Sequence, residues 1–405
     1  MEAPPPPGHA AARDDRRDRG DRPGAGERVV LVRLSHLGDV VHALPVHHAL
    51  RRALPAARLA WAVQPEFAGL LAFVPGLDVV VPFDRRAGPA AWPRLRRRLR
   101  ALDPTWAVDA QGNWKSALAA RLTGARRRSG LARADWREPS AARLVPDRPT
   151  DPAPGPHAVD RMLHLARHVA PGAWGEEPTT AHDLHSGEAL RRAGAFDLGL
   201  PRPGDPTPGD PDLAAVSARA DATRAAVTAA LGGGAGAPVV LALGRPGDLR
   251  SWPAEHAADL TRRLAAVDRR VLVLSGPAEE AVGAALAADL GDLPGVTHLV
   301  GQRGLVELAA GLETAADLGA RYVGADSGPL HLAWAVGLPV VCLAGPQDPA
   351  RTGPWPPPGP GSPHRVVTAP GPLACRPCRS RRCANAEGPV CLTGLPASEV
   401  LAALA

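Results

Sequence analysis

Two segments of the sequence place an acidic side chain directly after an apolar run, where a helix is expected to begin. The first is RLSHLGDVVHALP, from Arg33 to Pro45. In this segment Gly38 lets the backbone turn tightly and leaves room for a ligand. Asp39 follows near the helix start, where its carboxylate should stay ionised and could accept a proton. From spacing alone, a cap on the helix is the competing interpretation of Asp39.

The second segment is YVGADSGPLHLAWAVGLPVVCLAGP, from Tyr322 to Pro346. A strand is predicted to run into Asp326, Ser327 and Gly328, and small residues with exposed amides at a helix start favour phosphate. Asp326 would repel phosphate unless it binds a hydroxyl, the nearby amides or His331. His331 lies one turn into the helix and could reach a bound anion. An ordinary capped helix with a buried histidine fits the same residues.

Two further loops follow predicted strands in the second half of the chain. In LGRPGDLRSWP, Arg250 precedes a helix and could hold phosphate oxygens through two parallel hydrogen bonds. In SGPAEEA, Gly276 follows a strand, and Glu279 or Glu280 could accept hydrogen bonds from ribose hydroxyls. A solvated arginine and a helix that merely begins with glutamate are the alternatives.

Four of the five cysteines lie close together near the C-terminus, in the pattern Cys375-x2-Cys378-x4-Cys383-x7-Cys391. Four thiolates are enough for a tetrahedral, structural zinc site. The segment between them is too polar to build a core of its own, so a metal could order it. An iron–sulfur cluster and reduced thiols fit the same pattern. Disulfides are disfavoured in a long chain without a secretory signal.

The scaffold for these residues is predicted from the alternation of apolar runs and helical segments, which indicates parallel strands joined by crossover helices. The alternation begins at Arg28, weakens over residues 200–237, which are rich in proline and glycine, and restarts at Pro238. We therefore predict a disordered tail over 1–27, a doubly wound α/β domain over 28–199, a linker over 200–237 and a second domain over 238–405. The cleft between the domains is the expected site.

Composition excludes several classes of protein. The chain has 405 residues and a formal net charge of +6, which would suit an anionic substrate or a membrane surface. No apolar run reaches the roughly 18 residues that span a bilayer, and no secretory signal opens the chain, so a cytoplasmic location is expected. The sequence lacks a G-x-G-x-x-G after its first strand, a P-loop and a G-x-S-x-G motif. These absences argue against a dehydrogenase, a nucleoside triphosphatase and a serine hydrolase.

One predicted helix, AWPRLRRRLRAL, has five arginines between the apolar residues Trp92, Leu95, Leu99 and Leu102. The apolar stripe should pack against the sheet. The basic face could in addition meet anionic lipid headgroups or an anionic acceptor.

Taken together and in this order, the segments resemble the ADP-heptose:lipopolysaccharide heptosyltransferases, glycosyltransferase family nine. The resemblance runs from about Arg28 to the C-terminus and is strongest in RLSHLGDVVHALP, DAQGNWKSA and GADSGPLHLAWAVGLPVVCLAGPQDP. It implies a GT-B architecture, in which two Rossmann-like domains face a central cleft. The acceptor would bind the N-terminal domain and the nucleotide-sugar the C-terminal one. Direct displacement at the anomeric carbon would invert its configuration.

The resemblance also implies roles for single residues. Asp39 matches the general base of the family. Ser327 stands where threonine is usual, and Arg250 stands where lysine is usual. The donor-binding residues expected from the resemblance are Asp326, Ser327, Gly328, His331, Arg250, Glu279 and Gly276. The acceptor-side residues are Ser35, Gly38, Gln111 and Lys115, the one lysine of the chain.

The expected activity is the transfer of a heptose or similar sugar from an ADP-sugar to an anionic lipid-linked or polysaccharide acceptor. We expect no cofactor for catalysis, no nucleic-acid partner, and peripheral contact with the inner face of the cytoplasmic membrane. Two alternatives remain at this point: the same fold using another nucleotide-sugar and a different acceptor, or a nucleotide-binding protein without turnover.

Overall fold

Short apolar runs form the strands of two parallel sheets in the computed structural model, which describes residues 24–174, 189–301, 304–380 and 382–405. Most of the expected tail, residues 1–23, lies outside the described residues. The elements of the first half are β1 (Arg28–Val32), α1 (Leu37–Ala53), β2 (Arg58–Val63), α2 (Pro65–Leu71), β3 (Val79–Pro82), α3 (Ala91–Ala101), β4 (Trp106–Asp109), α4 (Trp114–Leu122), β5 (Arg127–Gly130) and α5 (Ala158–Val169). Short 3-10 turns occupy Arg85–Ala90, Arg133–Asp135 and Pro139–Leu144.

The second half repeats this alternation. Its elements are α6 (Pro211–Leu231), β6 (Val239–Ala242), α7 (Ala254–Ala265), β7 (Val271–Leu274), α8 (Glu280–Leu290), β8 (Val296–Leu299), α9 (Leu305–Asp317), β9 (Arg321–Ala325), α10 (Gly328–Ala335), β10 (Val340–Leu343), α11 (Pro349–Thr352), β11 (Arg365–Val367), α12 (Val390–Thr393) and α13 (Ala397–Ala403).

The strand orders are β3-β2-β1-β4-β5 and β11-β10-β9-β6-β7-β8, and all neighbouring strands are parallel. In each sheet the order reverses beside the first strand, between β1 and β4 and between β6 and β9. Ligands of doubly wound sheets bind beyond the carboxyl ends of the strands at this reversal. The predicted fold class is confirmed, and the topology marks one such position in each half.

The segment expected to be a linker differs from that expectation. Residues 211–231 form the long helix α6, which begins at Pro211 after the capping side chain of Asp210. Arg224 of this helix donates from Nη2 to Glu313 of α9 at 2.7 Å. The helix forms because proline and glycine lie only in the flanks, and the stretch between is rich in alanine.

The two halves share an apolar junction built from α1, α10 and the segment after α5. Phe196 packs edge-on against Trp334 with their rings 5.0 Å apart, and Trp334 packs against Trp355 at 6.4 Å. His42 of α1 stacks on Trp334 at 5.9 Å. Within the described ranges, no helix combines the length and apolar character needed to cross a bilayer.

Candidate functional site

Asp39 lies in the first turn of α1, at the reversal of the first sheet. The helix begins at Leu37 after His36, and no side chain caps it. The Asp39 carboxylate instead pairs with Arg33, whose Nη2 lies 2.6 Å from Oδ1, and the Asp39 side chain is 34% exposed. The capping interpretation is therefore wrong, because the carboxylate faces an arginine and solvent rather than the helix amides.

Arg33 is held in place from the opposite side of the reversal. It is 8% exposed, and its Nη1 donates to the main-chain oxygen of Ala110, just beyond β4. Arg33 engages Oδ1 of Asp39, and the Asp39 side chain remains partly open to solvent.

The loop after β4 is organised by a buried carboxyl group. Asp109 accepts from the main-chain N–H groups of Gln111 at 2.8 Å and Gly112 at 3.1 Å. Burial raises the pKa of Asp109 to about 6. Oε1 of Gln111 in turn accepts from the N–H of Leu34 at 2.7 Å. Gln111, expected on the acceptor side, therefore joins the ends of β1 and β4 and aligns the loop that carries Arg33.

The remaining acceptor-side residues differ in their exposure. Ser35 is 7% exposed, whereas Lys115 is exposed in the first turn of α4. That turn is fixed by a capping box in which Asn113 and Ser116 hydrogen bond to each other's main-chain amides. Lys115 can therefore bind an anion that approaches from solvent at the first turn of α4.

Asp326 lies between β9 and α10, and both of its carboxylate oxygens are engaged. Oδ1 lies 3.2 Å from Nε2 of His331, and Oδ2 accepts from the hydroxyl of Thr352 at 2.6 Å. Nδ1 of His331 accepts from the indole N–H of Trp334 at 3.2 Å. Because an indole N–H can only donate, this bond leaves the His331 proton on Nε2, where it faces Asp326. The Asp326 side chain is only 8% exposed.

The two halves meet where the Asp39 and Asp326 segments begin. A Cβ atom at Gly38 would lie 2.2 Å from Cδ2 of His331, and one at Gly328 would lie 2.9 Å from the side chain of Leu37. Both positions favour glycine, because a methyl group there would collide with a side chain of the other half. Asp39 and the Asp326–His331 pair therefore lie on opposite sides of the contact between α1 and α10.

A group of buried histidines lies behind this contact. The ring of His42 is 4.6 Å from that of His331 and 5.7 Å from that of His157. Neither ring nitrogen of His42 finds a hydrogen-bond partner within the described ranges. Burial, together with the nearby His331 and His157, lowers the pKa of His42 well below its usual value. Burial also lowers the pKa of His157, to about 4. The junction therefore favours the neutral forms of His42 and His157.

The expected donor loops line the second sheet next to Asp326. Nη1 of Arg250 donates to the main-chain oxygen of Asp326 at 3.4 Å, so the structure brings these two segments together. Glu279 precedes α8, and its Oε2 accepts from the N–H of Gly276 at 3.1 Å. Oε1 of Glu279 lies 3.8 Å from Nε of Arg245. One carboxylate oxygen therefore orders the loop, and the other faces the cation of the neighbouring loop.

The cysteine segment lies after β11. Cys375, Cys378 and Cys383 are exposed, Cys391 is half-buried, and all four are free thiols. Burial raises the pKa of Cys391, and the nearby thiols of the other three raise it further. Among the residues the structure describes, no three or more His, Cys, Asp or Glu side chains are arranged to hold a metal ion. Metal binding by this segment stays a prediction.

Three residues of the site were missed in the sequence. Arg33 and Thr352 bind Asp39 and Asp326, and Asp248 binds Arg250. Arg33 and Asp248 were within reach of sequence reasoning, since each lies a few residues from its partner. Thr352 was not, because it joins Asp326 only through the packing of the second half.

Comparison with known proteins places this geometry in a family. The sequence model described as Glycosyltransferase family 9 (heptosyltransferase) matches residues 92–387. Lipopolysaccharide heptosyltransferase 1 of Pseudomonas aeruginosa is 29% identical over 370 residues, which are 88% of this chain and 87% of that protein. Lipopolysaccharide heptosyltransferase 1 of Salmonella typhimurium is 30% identical over 176 residues, 40% of this chain and 55% of that protein.

Solved structures show the same fold. The Escherichia coli heptosyltransferase WaaC with ADP has a TM-score of 0.63 and 24% identity, covering 93% of this chain and 96% of that chain. The Escherichia coli ADP-heptose lipopolysaccharide heptosyltransferase II has a TM-score of 0.60 and 19% identity, covering 93% of this chain and 98% of that chain. The architecture of two facing doubly wound units is GT-B.

Proposed function

Because the chain belongs to glycosyltransferase family 9, the heptosyltransferase family, we propose that it transfers a heptose from ADP-heptose to the core of lipopolysaccharide or a closely related anionic glycan. The Pseudomonas relative, which aligns with most of this chain, is a lipopolysaccharide heptosyltransferase. One observation carries the proposal for the site: Asp39 follows Gly38, and Gly38 touches His331 of the other half. An acceptor bound beside Asp39 would therefore reach a sugar held beside Asp326.

In the proposed reaction, the acceptor hydroxyl oxygen attacks the anomeric carbon while the bond from that carbon to the diphosphate breaks. The hydroxyl proton passes to Oδ2 of Asp39, and ADP leaves with the bonding electrons. Attack from the face opposite ADP inverts the anomeric carbon. Arg33 supports this role because it holds Oδ1 at 2.6 Å and leaves Oδ2 for the acceptor.

On the donor side, we assign the diphosphate to the start of α10 and to Arg250. No side chain caps α10 at Ser327, so the N–H of Gly328 can bind a phosphate oxygen. Pro329 has no N–H, and the N–H of Leu330 donates to the main-chain oxygen of Ser327 at 3.1 Å. Both oxygens of Asp326 are already engaged, by His331 and Thr352. Glu279 beside Gly276 is assigned to the ribose, because its Oε1, 3.8 Å from Nε of Arg245, faces the neighbouring loop.

Because the N–H of Gly328 and the remaining N–H groups of Arg250 can hydrogen bond to the diphosphate, we propose that transfer needs no divalent cation. The measurement is the initial rate in EDTA with and without added magnesium or manganese. A rate abolished by EDTA and restored by either ion would contradict this proposal.

On the acceptor side, helix α3 supports contact with an anionic surface. Leu95 and Leu99 are buried against the sheet. The arginines exposed on the other side of the helix are Arg94, Arg96, Arg97, Arg98 and Arg100. We propose that this face meets lipopolysaccharide phosphates or anionic lipid at the inner face of the cytoplasmic membrane.

The test is a transfer assay with ADP-heptose and lipopolysaccharide that lacks core heptose, with ADP release and product mass as readouts. Before the assay, ADP, UDP and GDP are compared by thermal shift, because a ligand at 100 times its dissociation constant adds about 2.7 kcal/mol of stability. Stabilisation by UDP or GDP but not ADP would reject the donor assignment. Stabilisation by ADP without transfer to this lipopolysaccharide would reject the acceptor.

A further inference from the structure

The loop between β6 and α7 is a compact turn closed by its own main chain. The N–H of Asp248 donates to the oxygen of Arg245 at 3.1 Å, and the N–H of Ser251 donates to the oxygen of Asp248 at 2.9 Å. The Ser251 hydroxyl donates to the same Arg245 oxygen. The turn therefore presents the side chains of Asp248 and Arg250 from a fixed backbone.

Asp248 binds one whole edge of the Arg250 guanidinium. Its Oδ1 accepts from the main-chain N–H and from Nε of Arg250, both at 2.9 Å. Its Oδ2 accepts from Nη2 at 2.6 Å. The hydrogen bonds from Arg250 lower the pKa of Asp248, so the carboxylate is ionised. Two parallel bonds of this kind fix both the plane and the direction of a guanidinium.

The opposite edge of Arg250 is directed at the proposed diphosphate site. Nη1 donates to the main-chain oxygen of Asp326 at 3.4 Å, and the Arg250 side chain remains 43% exposed. N–H groups on both Nη atoms are left for a ligand, because Asp248 uses only one edge. A lysine ammonium has no second edge and could not make both sets of contacts.

We propose that Asp248 is a positioning residue for the donor: it holds the Nε–Nη2 edge of Arg250 so that the remaining N–H groups face the diphosphate. The inference rests on the proposed function. The Asp248–Arg250 pair carries no net charge, so it attracts the diphosphate less strongly than a lone arginine would. Its contribution is direction, since an arginine that is already oriented loses less side-chain entropy on binding. If Asp248 instead competed with the diphosphate for Arg250, removing Asp248 would strengthen ADP binding.

The experiment measures the dissociation constant of ADP by calorimetry, and KM and kcat for ADP-heptose. Asp248→Ala should weaken ADP binding about tenfold and raise KM by a similar factor, with a smaller change in kcat. Asp248→Glu should recover part of the loss, because it restores a carboxylate. The matched control is Asp259→Ala, since Asp259 accepts from Nε of Arg263 at 2.8 Å on the exposed side of α7. This control should leave the dissociation constant of ADP, KM and kcat unchanged.

A double-mutant cycle separates positioning from a structural effect. In an Arg250→Ala background, Asp248→Ala should have no further effect on ADP binding, because Asp248 acts through Arg250. Unchanged or tighter ADP binding by Asp248→Ala would overturn the inference, and so would an undiminished loss in the Arg250→Ala background. A wild-type protein that binds no ADP would overturn the proposed function itself. If the wild type binds ADP and Asp248→Ala binds it equally well, only the positioning role is overturned.

Discussion

Asp39 and Asp326 occupy comparable places in the two halves, yet their surroundings differ. Each follows a strand at the reversal of its sheet and lies at the start of a helix. The Asp39 side chain is 34% exposed and pairs with Arg33 through one oxygen. The Asp326 side chain is 8% exposed and uses both oxygens, on His331 and Thr352.

This difference supports the proposal that Asp39 is a reactive carboxylate and Asp326 a structural one. A carboxylate with one free, accessible oxygen can accept a proton from a ligand. A carboxylate with both oxygens engaged and little exposure instead fixes its neighbours, here the His331 ring and the start of α10. Similar positions in similar sheets therefore lead to different chemistry, and partners from elsewhere in the chain decide which.

The largest effect is expected at the reactive carboxylate. Asp39→Asn should reduce transfer at least a hundredfold, because an amide cannot take the hydroxyl proton. ADP binding should stay close to wild type, since the donor contacts lie in the other half. The control is Asp103→Asn, which alters an aspartate paired with Arg28 at 2.8 Å and 90% exposed. More than about a tenth of wild-type activity in Asp39→Asn would contradict the base role.

A substitution at the contact between Gly38 and His331 should lower transfer nearly as much. Gly38→Ala would place a methyl group 2.2 Å from His331, whose ring is held by Asp326 and Trp334 and cannot easily move. Overpacking of this kind costs about 1–3 kcal/mol, and we expect a loss of kcat/KM of about tenfold or more. Gly69→Ala is the control, because a Cβ at Gly69 meets nothing within 4 Å. Equal activity in both variants would show that the contact does not matter for transfer.

Removing one partner of Asp326 should make the structural carboxylate more like Asp39. Thr352→Val deletes the hydroxyl that lies 2.6 Å from Oδ2, and a hydrogen bond to a charged group is worth about 1.5–3 kcal/mol. We expect ADP binding to weaken about tenfold, because His331 and the start of α10 lose their support. Thr228→Val, which removes a bond to the main-chain oxygen of Arg224, should leave ADP binding unchanged. An unaffected dissociation constant in Thr352→Val would reject the supporting role.

The histidines behind the contact should make stability depend on pH. Burial keeps the pKa of His42 well below its usual value, so the folded protein resists its protonation. The stabilisation is complete above about pH 6.5 and is lost as the pH falls below that value. His42→Phe should flatten the fall in the free energy of unfolding between pH 6 and 5 by about 1.4 kcal/mol per pH unit.

Urea denaturation of wild type, His42→Phe and His164→Phe at several pH values measures this effect. His164 is the control, as its ring is half-buried and hydrogen bonds to the main-chain oxygen of Asp151 at 2.9 Å. A slope in His42→Phe equal to that of wild type would show that His42 gains its proton equally well in the folded and unfolded chains.

The smallest effect on transfer is expected at the cysteine segment. If the four thiols hold a structural zinc, protein purified without a metal-affinity tag should contain about one equivalent of zinc. Cys383→Ser should lower that content while ADP binding changes little, because the segment follows the donor motifs in the chain. Elemental analysis provides the measurement. If the protein contains less than about a tenth of an equivalent of zinc or iron, the four residues would be assigned as free cysteines.

Local sequence patterns predicted most elements. The apolar run RLAWAV forms β2, and the arginine-rich helix buries Leu95 and Leu99 as its apolar stripe indicates. The strands β5 and β11 have no clear signal in the sequence, since Arg127–Gly130 has no apolar run and Arg365–Val367 is very short. Both are edge strands, which form because a neighbouring strand offers its hydrogen-bonding groups rather than because of their own composition.

The sequence by itself determined the alternation of strands and helices, the order of the motifs and the identity of Asp39, Arg250, Asp326 and His331 as candidates. These features depend on residues close together in the chain, so they can be predicted from local propensity and spacing. Only the tertiary structure decided that Gly38 touches His331 and that Thr352 binds Asp326. The Gly38 contact joins segments from opposite halves, and its geometry depends on how closely two helix starts can pack.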